Sequence, residues 1–279
     1  MAVLFWGCAP IGTRYLVGNN HLGLPAVPFI ALRYAVAMLC FLPGLAGALR
    51  SWTRRDWLLG ALCGLVGVTG YNLPSAMGSR TVSAGMVGLL NASEPLLIVL
   101  LISLRARRVP KGWTVLAATV GMAGVILLAK SAGPAQGDAK GMALLMLAAF
   151  NWSCYCVLVP PLLAARSALQ VSAVTMFFGT IPLLLAGGWG MPHLVSEMNA
   201  HQWEILLALS IGTSVIAMVA WNAGSAGLGA EASGWFLYLL PVVSAGGGAA
   251  ILAEPLTATE FCGGGLIMFS VFLSQRAGR

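Results

Sequence analysis

The stretch that decides the fold is residues 141–165, GMALLMLAAFNWSCYCVLVPPLLAA, which contains no charged side chain. A helix of about 20 apolar residues crosses the ~30 Å hydrocarbon layer of a bilayer, and this stretch is longer than that. Similar uncharged runs occupy residues 57–79, 205–230 and 232–253. The strands of a membrane barrel are shorter and alternate polar with apolar residues, which these runs do not. The sequence therefore predicts an all-α integral membrane protein.

The charged residues are too few to cover a soluble domain. They make up 8% of the 279 residues, against roughly 25% in an ordinary soluble protein. The formal net charge of +7 comes from basic residues between the apolar runs, so we interpret it as a topology signal and expect no nucleic-acid partner. All six cysteines lie inside apolar runs, and we expect neither a disulfide framework nor a metal site.

The chain matches itself when it is overlaid at a shift of 146 residues. Trp152 and Cys154 of the opening stretch then fall on Trp6 and Cys8. The same shift places Gly190 on Gly44, Trp203 on Trp57, Gly234 on Gly88 and Pro241 on Pro95. These matches indicate an internal duplication of a membrane-embedded unit. If each unit has an odd number of spans, the second is inverted relative to the first, which is the usual architecture of secondary transporters.

Turn residues and charges divide the chain into apolar segments. The boundaries are 2–18, 27–49, 57–79, 82–104, 112–130, 141–164, 169–189, 202–224, 231–253 and 258–276. Five segments fall in a first repeat at 1–130 and five in a second repeat at 141–279, with a linker at 131–140. We therefore predict ten transmembrane helices in two inverted five-helix repeats around a central cavity.

The distribution of Lys and Arg predicts the orientation. With a cytoplasmic N-terminus, ten basic residues of the links lie inside and three lie outside. Cytoplasmic links of membrane proteins carry the excess of Lys and Arg. Both termini are therefore predicted to be cytoplasmic.

Arg33 and Glu94 are charged residues that fall well inside the predicted segments. Arg33 would cost roughly 2.5 to 3.5 kcal/mol at the centre of a lipid-facing helix, so it must face protein or water. It is either an electrostatic partner for an anionic solute group or a structural residue that bonds backbone carbonyls. Glu94 is the only acid deep in an apolar run, and Asn91 shares its helix face. Burial favours a neutral carboxyl group, so Glu94 either carries protons for coupling or stabilises packing.

Proline and aromatic residues recur at matching places in the two halves. Pro95 and Pro241 are equivalent by the shift, and they are candidate hinges in the fourth and ninth segments. Aromatic and amide residues gather far from the predicted interfaces, and a pocket lined by such side chains suits an amphipathic organic solute. The candidate cavity residues are Trp6, Tyr71, Asn72, Asn91, Glu94, Trp152, Tyr155, Trp221, Asn222, Trp235 and Tyr238. For each aromatic residue, simple packing between helices is the alternative.

Several functional motifs are missing from the sequence. It has no GxxxxGK[ST] phosphate loop, no TVGYG-type filter and no HExxH metal pair. The three histidines lie in links, so no buried nucleophile–base pair is expected. We predict that the protein is not an enzyme and that it requires no cofactor.

The chain resembles the EamA family of the drug/metabolite transporter superfamily over nearly its whole length. The motifs that carry the resemblance are residues 4–7 (LFWG), 31–34 (ALRY), Glu94-Pro95, Trp152, 238–241 (YLLP) and 253–256 (AEPL). One feature departs from the family pattern, because Arg105-Ala106-Arg107-Arg108 replaces the acid that usually closes the fourth span, whereas the second half keeps Glu254.

The resemblance implies a secondary transporter that exports small metabolites from the bacterial inner membrane by alternating access. The paired aromatic residues and Ala220-Trp221-Asn222 are similar to aromatic amino acid exporters of the YddG type, so the expected substrates are aromatic or large neutral amino acids. The alternatives are a carrier of the same superfamily for a nucleotide sugar, sugar phosphate, drug or nucleobase, a channel, or a membrane-embedded enzyme. The expected partners are a small-molecule substrate and the lipid bilayer, and the chain is expected to be a monomer or homodimer.

Overall fold

The computed structural model describes residues 1–17, 24–82, 84–131, 137–252 and 257–277. Within these residues the chain is nearly all helical, and its one extended pairing is an isolated bridge between Val82 and Gly137. The predicted all-helical class is therefore confirmed. Half of the predicted linker, residues 132–136, and the acid Glu254 lie outside the described residues.

The helical segments are numbered here in chain order, and several consist of two or three pieces. They are α1 (Ala2–Val17), α2 (Ala26–Ser51), α3 (Arg54–Gly78), α4 (Ala84–Asn91 and Glu94–Ala106), α5 (Gly112–Ser131), α6 (Ala139–Leu158 and Pro160–Ala165), α7 (Ala168–Gly187, Gly188–Gly190 and Met191–Glu197), α8 (Ala200–Leu228), α9 (Ala230–Gly234, Trp235–Tyr238 and Leu239–Leu252) and α10 (Ala258–Ala277). In the described part, α2 to α8 supply seven helices that are long and apolar enough to cross a membrane, and α10 supplies a shorter apolar helix, Ala258–Ser274. The chain is therefore a multi-pass membrane protein.

The segment α7 is longer than the sequence predicts. The predicted link at 190–201 is mostly helical, because a short 3₁₀ turn at Gly188–Gly190 leads directly into Met191–Glu197. Pro192 lies in the first turn of that piece, where a missing N–H costs no hydrogen bond. Pro192 is therefore compatible with the start of this helical piece.

Four segments depart from regular α-helix at matching places in the sequence. A π-helical stretch, Leu65–Thr69, interrupts α3, and a second one, Leu209–Ile216, interrupts α8. The segment α4 breaks between Asn91 and Glu94, and α9 passes through a 3₁₀ turn at Trp235–Tyr238. Such departures free backbone carbonyls and amides, which is tolerable at membrane depth only against protein or water.

The starts of α3 and α8 carry the same capping arrangement, 146 residues apart. Thr53 caps α3, and its backbone N–H donates to the Asp56 carboxylate over 2.9 Å. Asn199 caps α8, and its backbone N–H donates to Oε1 of Gln202 over 2.7 Å. Both are capping boxes, in which two otherwise unpaired backbone N–H groups find side-chain acceptors.

The contacts between helices recur when each helix number is raised by five, with α1 counted as following α10. The segment α2 packs along α7, and α5 packs along α10. The segment α3 contacts α6 and α7, while α8 contacts α1 and α2. The segment α4 contacts α6, and α9 contacts α1. The helices of the first half thus pack extensively on helices of the second half.

Glycines allow the closest helix crossings. A Cβ atom on Gly44 of α2 would lie 2.9 Å from Cβ of Ala173, and one on Gly187 of α7 would lie 2.6 Å from the Val27 carbonyl oxygen. Where α5 crosses α10, a Cβ atom on Gly124 would lie 2.7 Å from the Gly263 carbonyl oxygen. Small residues at such crossings let two backbones approach, which is the main source of helix association in lipid.

We expect Gly124→Ala to destabilise the protein by about 1–3 kcal/mol, because the new methyl group overlaps the backbone of α10. Gly224→Ala in α8 is the matched control, since a Cβ atom there would have no neighbour within 4 Å. The measurement is the midpoint of thermal unfolding of the two purified variants in one detergent. Equal midpoints for the two variants would contradict this packing account.

Candidate functional site

Five buried or half-buried aromatic side chains from four helices form one group, which we call the aromatic cluster. Its members are Trp6 of α1, Tyr71 of α3, Trp152 and Tyr155 of α6, and Trp221 of α8. Trp152 lies at its centre, with ring centroids 5.2 Å from Trp6, 5.7 Å from Tyr71, 5.2 Å from Tyr155 and 5.9 Å from Trp221. Trp6 and Trp221 are 5.4 Å apart. The cluster therefore lies where the two halves meet.

The irregular helices position the cluster. The indole N–H of Trp6 donates to the Thr213 carbonyl oxygen over 2.8 Å, inside the π-helical stretch of α8. In α3, Gly67 lies in the other π-helical stretch, and the ring of Tyr155 occupies the space that a side chain there would need. Tyr71 follows this stretch by two residues. Each half thus supports an aromatic residue of the other half through its π-helical stretch.

A closed polar network lies on the α8 side of the cluster. The hydroxyl of Tyr155 donates to Oδ1 of Asn222 over 2.8 Å, and Nδ2 of Asn222 donates to the Ser172 hydroxyl over 2.9 Å. All three side chains are buried. A buried amide is tolerated when its hydrogen bonds are made, so this network fixes the tyrosine ring at the edge of the cluster. The sequence pointed to Tyr155 and Asn222 but gave no signal for Ser172, one of several small polar residues in an apolar helix.

A more open polar group lies on the α3 side. A guanidinium nitrogen of Arg33 donates to Oδ1 of Asn72 over 3.5 Å, which is long for a hydrogen bond. Nδ2 of Asn72 donates to the Val68 carbonyl oxygen over 2.8 Å. The guanidinium also lies 4.9 Å from the ring centroid of Tyr34, while its buried Nε atom has no hydrogen-bond partner. Arg33 therefore faces protein, and part of its bonding capacity is unused.

Glu94 begins the second piece of α4 and is 2% exposed. Its backbone carbonyl oxygen accepts a hydrogen bond from Ser153, the residue after Trp152, over 3.2 Å. The Tyr71 hydroxyl lies within electrostatic range of both Glu94 and Arg33. Among the described residues, no ion pair within 4.0 Å joins Arg33 to Glu94. Tyr71 therefore lies near an arginine and a glutamate that make no direct ion pair with each other.

Asn91 and Pro95 lie on either side of the break in α4. Asn91 is half-buried, and its Oδ1 atom has no hydrogen-bond partner. Pro95 is buried in the first turn of the second piece and cannot donate to the Asn91 carbonyl oxygen. Pro241 lies two residues into Leu239–Leu252, after the 3₁₀ turn of α9. Both candidate hinges thus coincide with irregular backbone.

Two of the sequence-predicted cavity residues lie apart from the aromatic cluster. Trp235 and Tyr238 are 6.0 Å from each other and belong to a separate apolar group with residues of α5 and α10. The Tyr238 hydroxyl donates to the Ala118 carbonyl oxygen over 3.4 Å. Side chains three residues apart eclipse on a 3₁₀ helix, so this turn aims both rings at α5. The expected grouping of all the aromatic residues around one cavity therefore does not extend to this pair.

The site offers hydrogen-bonding groups that its own side chains leave unused. Besides Arg33 and Asn91, the buried indole N–H of Trp221 makes no hydrogen bond, although it lies beside the Cys156 thiol. No group of three or more His, Cys, Asp or Glu residues in the described part could hold a metal ion. The arrangement suits non-covalent binding by aromatic surface and a few polar contacts.

The comparisons with known proteins identify a family of transporters. The model of the EamA-like transporter family matches residues 1–130 and 139–275. A protein described as an uncharacterized transporter of Archaeoglobus fulgidus is 23% identical over 99% of this chain and 96% of its own length. A "probable terminal-alkyne amino-acid exporter" of Streptantibioticus cattleyicolor is 27% identical over 99% of this chain and 91% of its own length. One solved crystal structure, 21% identical, covers 99% of this chain and 94% of the other with a TM-score of 0.78, which shows a shared fold.

The apolar helices and the matching family model define the class as a multi-pass membrane transporter. This chain belongs to the EamA-like transporter family. It is a transporter rather than an enzyme. The predicted family is therefore confirmed.

We expect Asn222→Leu to destabilise the protein by about 1–3 kcal/mol, because it leaves the Tyr155 and Ser172 hydroxyls buried without partners. Adding Tyr155→Phe to Asn222→Leu removes one of those unpaired hydroxyls. The double variant should therefore lose less stability than the sum of the losses of the two single variants. The measurement is a double-mutant cycle of thermal unfolding midpoints. Strict additivity would show that the two side chains do not interact.

Proposed function

We propose that this chain exports small amphipathic metabolites, and that aromatic or large neutral amino acids are its substrates. The observation that carries this proposal is the aromatic cluster, to which both halves contribute rings. Aromatic rings offer a binding surface for an apolar side chain, and the polar groups beside them offer partners for an amino and a carboxyl group. In the proposed binding site the aromatic side chains are those of the aromatic cluster, and the polar side chains beside them are Asn72, Asn91, Glu94, Asn222 and Arg33.

The proposed architecture is ten transmembrane helices in two inverted five-helix repeats, 1–130 and 141–279. Four observations support it. The family model matches in two blocks, and the capping boxes at Thr53 and Asn199 are 146 residues apart. The π-helical stretches recur in α3 and α8, and the packing of helices recurs when five is added to each number. A unit with an odd number of spans must be inverted relative to its copy, which places the substrate site between the units.

Both termini are proposed to lie in the cytoplasm of a bacterial cell, with the chain in the inner membrane. This orientation places ten basic residues of the links inside and three outside. Transport from the cytoplasm to the exterior by alternating access then requires one unit to rock against the other. The breaks at Pro95 and before Pro241 are the proposed hinges, because the backbone there is already outside a regular hydrogen-bond ladder. The chain is proposed to act as a monomer or homodimer.

The amino-acid assignment rests on complementary chemistry. An amino acid carries one positive and one negative group about two bonds apart, and Tyr71 lies near both an arginine and a glutamate. The unused donors of Arg33 suit a carboxylate, and the oxygen of Asn91 suits an ammonium group. The name of the Streptantibioticus cattleyicolor relative points to the same substrate class. The alternatives are a nucleotide sugar, sugar phosphate, drug or nucleobase carried by the same fold.

Purified protein in liposomes should transport aromatic or large neutral amino acids. Trp152→Ala should reduce this flux by roughly tenfold or more, because truncating a central aromatic anchor costs more than ~1.4 kcal/mol of binding. Trp189→Ala is the matched control, since Trp189 is 95% exposed. Clear flux of a nucleotide sugar or sugar phosphate, with no flux of any amino acid, would reject the substrate assignment. Unsaturable flux near the diffusion limit would indicate a channel.

The coupling role of Glu94 has its own test. If Glu94 exchanges protons during the cycle, Glu94→Gln should abolish the dependence of transport on a pH gradient. Substrate exchange between compartments of equal pH should remain unchanged. Glu231→Gln is the control, because Glu231 is an exposed residue in the first turn of α9. The measurement is uptake with and without an imposed pH gradient. An unchanged pH dependence in Glu94→Gln would assign Glu94 a structural role instead.

A further inference from the structure

A groove outside the aromatic cluster opens between the start of α3, the end of α4 and the end of α6. Its volume is about 650 Å³. Two arginines, Arg55 and Arg105, line it together with leucines that include Leu58 and Leu62. Neither the proposed transport cycle nor the capping of α3 uses these two arginines.

One side of the groove faces the hydrocarbon of the bilayer. Leu58 and Leu62 are 64% and 46% exposed and lie four residues apart, so they share one face of α3. Exposed leucines on a membrane-spanning helix contact lipid chains. A ligand in this groove would therefore have both an acyl chain of the bilayer and the charged edge of the helix bundle beside it.

The charged end of the groove carries a net positive charge. Asp56 also lines it, but the Asp56 carboxylate pairs with Arg166 at 2.6 Å and accepts hydrogen bonds from Thr53. The charge of Asp56 is thus already compensated. Arg55 is exposed, so the groove presents cationic groups to whatever occupies it.

Arg105 is held in place by a backbone carbonyl oxygen of α6 that has no donor within the helix. Pro161 has no N–H, so it cannot donate to the Val157 carbonyl oxygen one turn earlier. A guanidinium nitrogen of Arg105 donates to that oxygen instead, over 3.2 Å. The guanidinium fork has five N–H donors, so others stay available to an anion.

We propose that this groove binds an anionic phospholipid, with its phosphate between Arg55 and Arg105 and an acyl chain along Leu58 and Leu62. Basic pockets between membrane helices recognise anionic headgroups, and arginine suits phosphate because it donates two parallel hydrogen bonds. The bound lipid would join the ends of α3, α4 and α6, the last of which carries Trp152 in its first piece. The site is independent of the identity of the transported solute.

The test is the binding of lipid to the full chain in neutral detergent, measured by native mass spectrometry. Phosphatidylglycerol, phosphatidylcholine and inorganic phosphate are titrated separately. We expect preferential retention of phosphatidylglycerol, weakened roughly fivefold by either Arg55→Gln or Arg105→Gln. Arg54→Gln is the matched control, because Arg54 is exposed but does not line the groove.

The proposal would be overturned by equal retention of phosphatidylcholine, by equally tight binding of inorganic phosphate, or by unchanged phosphatidylglycerol binding in Arg55→Gln. Because Arg105→Gln also removes the donor to the Val157 carbonyl oxygen, Arg55→Glu serves as a second variant that leaves α6 intact. This charge reversal should weaken phosphatidylglycerol binding more than Arg55→Gln does, and equal binding by Arg55→Glu and the unmodified chain would also overturn the proposal.

Discussion

The need to satisfy every backbone N–H and C=O group without water constrains the whole structure. Regular helix meets this need along most of the described residues, and the π-helical stretches of α3 and α8 each contact a ring from the other half. The π-helical stretch of α8 gives its Thr213 carbonyl oxygen to Trp6, and the Val157 carbonyl oxygen, left without a donor by Pro161, receives Arg105. The side chains that donate to these carbonyl oxygens are thereby fixed in position. The same constraint thus helps to position Trp6 in the aromatic cluster and Arg105 in the outer groove.

The aromatic cluster follows from this arrangement. Trp6 and Trp152 are equivalent by the 146-residue shift, and they meet edge to face at 5.2 Å because the two halves pack on each other. The polar surroundings of the two halves differ, however. Asn222 belongs to a closed network with Tyr155 and Ser172, whereas Asn72 shares one long hydrogen bond with Arg33. The two halves thus contribute equivalent tryptophans to the aromatic cluster but different sets of polar groups beside it.

Hydropathy and charge predicted the helices well because they report burial in lipid directly. The bounds of α2 and α5 were predicted within two residues, whereas the extension of α7 to Glu197 was missed because the chain continues through a 3₁₀ turn at Gly188–Gly190. Among the site residues, the sequence pointed to the members of the aromatic cluster through matches between the halves. It misplaced Trp235 and Tyr238, since nothing in their spacing distinguishes a 3₁₀ turn from an α-helix. The hydrogen bond from the Trp6 indole N–H to the Thr213 carbonyl oxygen could not be predicted from the sequence.

The inverted pairing of the halves is the central claim, and the sidedness of two equivalent residues tests it most directly. Arg54 and Ala200 are exposed, lie 146 residues apart and begin α3 and α8. In a background with the six native cysteines replaced, Arg54→Cys and Ala200→Cys are each treated with a membrane-impermeant thiol reagent on intact cells. The account predicts that Ala200→Cys is labelled from outside and Arg54→Cys only after the membrane is opened. Labelling of both positions from the same side would contradict it.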